Sequence, residues 1–191
     1  MDKGRMALMT LGALAVIVLI VASAYIGERL ETIEDRLQFS GPSPGHDAIL
    51  MGEEVEFQAV YVPVYSHVYS DGGRPFLVET TLSVRNTDPR EPIFLSSVRY
   101  FDTEGALVQD HLPGPIELGP LASTEFLVEK SDVSGGSGAN FIVVWAAETP
   151  VSEPMIEAVM IGFRGGNSIS LIRAGTPTEG VNIDGTVAER E

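Results

Sequence analysis

Residues Tyr61 to Tyr69 hold the densest set of chemically capable side chains in the sequence. With two-residue alternation, Tyr61, Pro63, Tyr65, His67 and Tyr69 fall on one strand face, opposite Val60, Val62, Val64, Ser66 and Val68. Rings with polar tips suit contact with a partner chain or a small ligand. Tyr61, Tyr65, His67 and Tyr69 therefore form the expected interaction surface, although the same rings could cover a second apolar layer. Pro63 cannot donate to a ladder, which predicts a sheet edge or a bend there.

A second candidate is the loop Ser134, Gly135, Gly136, Ser137, Gly138, Ala139 and Asn140. Successive backbone N–H groups in such a turn can cradle an anion or ligand. It is no nucleotide loop, because no Gly-Lys-Ser/Thr follows and the next segment reads as a strand. Nor is it a nucleophile elbow, since no histidine follows Ser137. An ordinary inter-strand turn is the competing reading. The three histidines, His46, His67 and His111, show no metal-binding spacing, so no metal or other cofactor is expected. The 27 acidic residues make chance carboxylate pairs unavoidable, so none marks a glycosidase. Asn86 and Asp88, in Arg85-Asn86-Thr87-Asp88-Pro89, are expected to bond their own backbone at a strand end, with Arg85 in an ion pair. No coherent catalytic set emerges, and the expectation is that the protein is not an enzyme.

Composition narrows the partners. The chain has 191 residues and a net charge of −15. A basic stripe that could displace counterions from a polyanion is missing, which argues against nucleic acid. With no cysteine, disulfides, thiolate sites and cysteine-linked lipid are excluded.

Residues 6–26 are uncharged and mostly apolar. A helix of that length spans about 31 Å, close to the hydrocarbon thickness of a bilayer. Lys3 and Arg5 precede it, whereas Glu28, Glu31, Glu34 and Asp35 follow. That asymmetry predicts an inner-membrane signal anchor, amino terminus (residues 1–5) in the cytoplasm and the remainder periplasmic or extracellular. The alternative is a signal peptide cleaved after Ala24. Leu30, Ile33 and Leu37 continue a helical seam through a juxtamembrane stalk over residues 27–39, able to serve a homo-oligomer or a plain stalk. Residues 40–54, opening with Ser-Gly-Pro-Ser-Pro-Gly, read as a linker.

From 55 to 173, short β-type runs alternate with turn residues, predicting an all-β, immunoglobulin-like β-sandwich behind one transmembrane helix. Phe76, Val78, Leu82 and Val84 alternate with polar neighbours, whereas Phe141 to Ala147 is apolar on both parities. The first pattern marks a half-buried strand and the second a central strand, or one covered on its second face. Trp145 is expected in the core. Residues 174–191 read as a flexible acidic tail.

The segments PVYSHVY, LSVRNTD, SVRYFDTEGALV, PLASTEFLVEKSDVSGGSGANFIVVW and EPMIEAVMIG resemble the bacterial family catalogued as domain of unknown function 3124, from about Phe57 to about Ile172. The resemblance implies a small exported or membrane-associated domain and supplies no catalytic residues. Together these readings predict a membrane-anchored protein-interaction or accessory subunit. The alternative is a periplasmic binding protein for a small ligand or metal ion, using His67 and the 134–140 loop.

Overall fold

The computed structural model describes residues 3–42, 56–182 and 184–186. The chain divides into two units, residues 1–40 and 41–191. In the first, a single helix α1 runs Lys3–Leu37 without interruption. Its stretch Gly12–Glu31 has a mean hydropathy of 1.9, apolar enough to cross a membrane, and none of it is buried against protein. A helix suits that solvent because it satisfies its backbone groups internally. Pro42 disfavours helical backbone at the residue before it, consistent with the helix stopping at Leu37. Most of the expected linker, residues 43–54, lies outside the described residues.

The second unit is built from strands β1 (Glu56–Pro63), β2 (His67–Ser70), β3 (Arg74–Leu77), β4 (Glu79–Arg85), β5 (Ile93–Phe101), β6 (Leu107–Asp110), β7 (Ile116–Leu118), β8 (Ser123–Val128), β9 (Asn140–Ala147), β10 (Met155–Arg164), β11 (Asn167–Ala174) and β12 (Thr176–Thr178). One sheet has the order β12-β1-β9-β5, with β6 and β7 both on the far side of β5. A second has the order β11-β10-β4-β8, and β2 with β3 forms a separate hairpin.

The two larger sheets share one core. Val60 and Val62 of β1 and Phe141, Val143 and Trp145 of β9 meet Leu82 and Val84 of β4, Phe126 of β8 and Met160 of β10. The expected alternation holds, since Phe76, Val78, Leu82 and Val84 are all buried. On the opposite parity, Ser83 is also buried. β9 lies between β1 and β5, and its second-face residues Val144 and Ala146 are buried too. Pairing across sheets departs from an immunoglobulin order. There the first strand joins the sheet of β4 and the last sits beside β9. Here β1 lies beside β9, and β10 lies beside β4.

Two expectations need correction. The domain does not end at 173, because Thr176 to Thr178 pair with Tyr61 to Ala59. The sequence crosses between sheets at Gly175, whose N–H bonds the carbonyl of Ile156 and where a Cβ would collide with Val60. Farther along, Gly185 is buried against Ser97 and Arg99 on the second face of the larger sheet. Among the described residues of this segment, Thr176–Thr178 form an edge strand, so its polar composition does not mark the end of the domain. Secondly, residues 61–69 are not one strand. The ladder stops at Pro63 and resumes at His67, in a different hairpin.

Candidate functional site

The structure brings parts of the two predicted sites together. After Pro63 the chain passes beneath the glycine-rich loop, where Val64 N–H bonds the carbonyl of Ala139 and Ser66 N–H that of Gly136. The Ser66 hydroxyl also donates to the Gly136 carbonyl at 3.0 Å and lies 3.1 Å from Nδ1 of His67. With that single hydroxyl proton on the carbonyl, Nδ1–H of His67 is the donor to Ser66 Oγ. This tautomer leaves Nε2 as the acceptor.

The four ring residues do not form one surface. Tyr61 faces outward from the larger sheet, between Ile142 and Thr176. Tyr65 packs against the core, with the Arg173 guanidinium 5.9 Å above its ring. His67 and Tyr69 make an edge-to-face pair with centroids 5.1 Å apart, and Tyr69 is 63% exposed. Bending at Pro63 has redirected the later residues.

Three backbone amides of the glycine-rich loop are already committed within the chain. Ser134 N–H bonds Asp132 Oδ1, Gly136 N–H the Val133 carbonyl and Gly138 N–H Thr103 Oγ1. Thr103 Oγ1 donates in turn to the Gly135 carbonyl. Gly135 leaves no room for a Cβ beneath the Tyr100 hydroxyl. These glycines therefore serve close packing, and three amides that would face an anion are occupied.

A buried polar group lies beside this loop. The His111 ring packs against Phe126 and Phe141, and its Nε2 is buried without a hydrogen-bond partner. Burial pushes its imidazole below the ordinary value of 6.5, against an upward pull from Asp110 and Asp132. Burial and the Asp132 charge push the Tyr100 phenol up to about 12. Both groups are thereby held neutral. Among the described residues no cluster of three or more His, Asp or Glu could hold a metal.

Asn86 and Asp88 bond their own turn as expected, through Asp88 N–H to Asn86 Oδ1 and the N–H groups of Arg90 and Glu91 to Asp88 Oδ1. They also reach much farther. Asn86 Nδ2 contacts the carbonyls of Glu91, Leu118 and Gly119, and Asp88 Oδ2 accepts from Ser152 N–H. The backbone donors from Ser152, Arg90 and Glu91 lower the Asp88 carboxyl to about 2. Arg85 lies 3.9 Å from Glu157 in a surface pair.

Alternation along the sequence did not single out the outer face of β10 and β11. Met155, Glu157, Val159, Ile161 and Phe163 project from one face of β10, with Glu157 separating Met155 from the apolar run, and Ile172 stands directly opposite Val159 on β11. Phe163 is 66% and Ile172 61% exposed. The signal was present as apolar residues on both parities of 155–163, but it indicates burial on two sides and does not say by what. In the helix, Leu30 and Leu37 are exposed. The side chain of Ile33 lies outside the described residues.

Comparison with known proteins places most of this second unit. The family model described as "Protein of unknown function (DUF3124)" matches residues 57–178. The chain belongs to this family. Its span ends with β12, in agreement with the later boundary found above. No curated protein matches the chain. A solved structure described as that of Thermotoga maritima 1070 is 10% identical, covering 62% of this chain and 92% of that one with a TM-score of 0.38.

Proposed function

We propose that this family member is a single-pass, membrane-anchored module whose extracytoplasmic domain binds protein, as an accessory subunit without catalytic activity. Lys3 and Arg5 ahead of the apolar stretch of α1 support an amino terminus in the cytoplasm. An immunoglobulin-like relation belongs to this proposal: two packed antiparallel sheets support it, whereas the placing of β1 beside β9 and β10 beside β4 departs from that order.

The observation carrying this reading is the apolar run of Val159, Ile161, Phe163 and Ile172, from which Met155 is set apart by Glu157 on the same face. Contiguous exposed apolar side chains on one sheet face mark contact surfaces. By contrast, Ser66, Asn86, Asp88 and Thr103 have their polar atoms bonded to backbone. The contact surface thus moves from the ring stripe to β10 and β11, because Tyr65 packs inward. The ligand-binding alternative loses support from the commitment of the Ser134, Gly136 and Gly138 amides.

Gentle extraction of the full-length protein from native membranes, followed by mass spectrometry, tests this. The account expects a stoichiometric companion or higher assembly that Phe163→Ser combined with Ile161→Thr removes, while Trp145 fluorescence stays that of the folded domain. Equal retention by the variant would refute the assignment of the surface.

A further inference from the structure

Resting on that reading, we propose that the partner at β11 is a second copy of this chain, paired antiparallel along its free edge. Every exposed sheet edge offers unpaired N–H and C=O groups, and proteins usually blunt it with short strands, proline or charge. Three of the edges here are blunted. β12 is three residues long and contains Pro177. On the other flank of that sheet, β6 and β7 have four and three residues. The outer edge of the smaller sheet is β8, six residues long, with Glu125 exposed.

Of these devices β11 carries only a single charge, Arg173 near its end. It is eight residues long and pairs with β10 through an unshifted eight-residue register. Its sequence, Asn-Ser-Ile-Ser-Leu-Ile-Arg-Ala, contains no proline, lysine or acidic residue. Among the described residues, no strand pairs with its other side.

Charge favours a second copy at this edge over any other face. The protein carries 27 acidic residues, so most faces of two copies would oppose carboxylates. From Ala158 to Thr178 there is no Asp or Glu, and the two basic residues are Arg164 and Arg173. Arg164 is paired with Asp71 at 2.9 Å, and Arg173 lies over Tyr65.

The edge is also self-complementary. A two-fold axis at Ser170 sets Ser170 against its equivalent, Ile169 against Leu171, Ser168 against Ile172 and Asn167 against Arg173. No like charges face each other across the seam. Phe163 and Val159 stand opposite Ser168 and Ile172 on their own hairpin. The joined sheet therefore has rows running Phe163, Ser168, then Ile172 and Val159 of the second copy. The small serines leave a trough into which Phe163 and Ile172 lean from either side. Edge pairing buries little area, but tethering both copies in one membrane raises their effective concentration.

The absence of cysteine allows a direct test. Ser170→Cys and, on the opposite edge of the same sheet, Ser123→Cys are introduced separately into the full-length protein in membranes. Each is treated with a short bis-maleimide. The proposal expects a product of twice the 20.5 kDa chain mass from Ser170→Cys alone. Adding Ile172→Lys should abolish it while Trp145 fluorescence reports a folded domain. Equal dimer yields at both positions would assign the association to collision or to α1 and overturn the proposal. A product joining position 170 to a different protein would overturn the second copy while leaving the interaction reading intact. Absence of any product at position 170, with a companion still lost in the Phe163→Ser, Ile161→Thr variant, would likewise overturn only the second-copy inference. If that companion is missing too, both fall.

Discussion

Replacing Asn86 by alanine should remove the most connected polar side chain among the described residues of the domain. Asn86 is 2% exposed, and its amide contacts three carbonyls, at 2.8 Å for Glu91 and 3.1 Å for Leu118 and Gly119. Its Oδ1 accepts from Asp88 N–H at 2.9 Å. The bonds to Leu118 and Asp88 are buried, while those to Glu91 and Gly119 lie where water can substitute. Two backbone groups are thus left unsatisfied, at about 1–3 kcal/mol each. The expected loss is about 2–6 kcal/mol, a large part of the roughly 5–15 kcal/mol available to a domain. For a domain of this size that corresponds to a fall in Tm of about 4–24 °C. The assay is urea and thermal unfolding of the full-length protein in detergent, followed by Trp145, the only tryptophan and a core residue. Thr87→Ala is the comparison, because it removes a single exposed bond to the Glu153 carbonyl. A loss below about 1 kcal/mol for Asn86→Ala, the value of one typical hydrogen bond, would refute the reasoning.

Stability should also fall with acid in two stages. His111 is held neutral by burial, so its contribution is complete above its ordinary value of 6.5 and is lost as the pH falls through that value towards the lowered one. His111→Phe should flatten this stage in pH-dependent unfolding. The Asp88 contribution is complete above 3.8 and is lost between 3.8 and about 2, so it defines the second stage. Leu121 is 69% exposed with φ of 57°, a left-handed backbone that costs a leucine about 1–2 kcal/mol. After glycine's own entropic penalty, Leu121→Gly should stabilise by about 0.5–1 kcal/mol in urea titration, and a destabilised variant would show that its side chain supports the fold.

Where the sequence spoke clearly, the burial pattern ran along one strand and its partner did not matter. Phe76, Val78, Leu82 and Val84 announced their face, and Phe141 to Ala147 announced a central strand. The short edge strands β6, β7 and β12 were illegible because three or four residues show no period. Tyr65 misled because alternation assumes a straight strand, and the chain bends after Pro63. The local half of the Asn86–Asp88 network could be read from turn chemistry. Its longer half could not, since Leu118 and Ser152 are brought there by the fold. Likewise, two-sided apolar patterning in 155–163 revealed that β10 needs cover, but only the pairing of β10 with β4 and β11 shows which face is left open.

The central claim is that the open face of β10 and β11 is occupied in the membrane. A photo-crosslinking phenylalanine analogue at position 163, in the full-length protein in native membranes, tests it directly. The account predicts a discrete protein adduct on illumination, absent when the analogue stands at position 104 in the exposed turn before β6. No adduct at 163, or the same adducts at both positions, would contradict it.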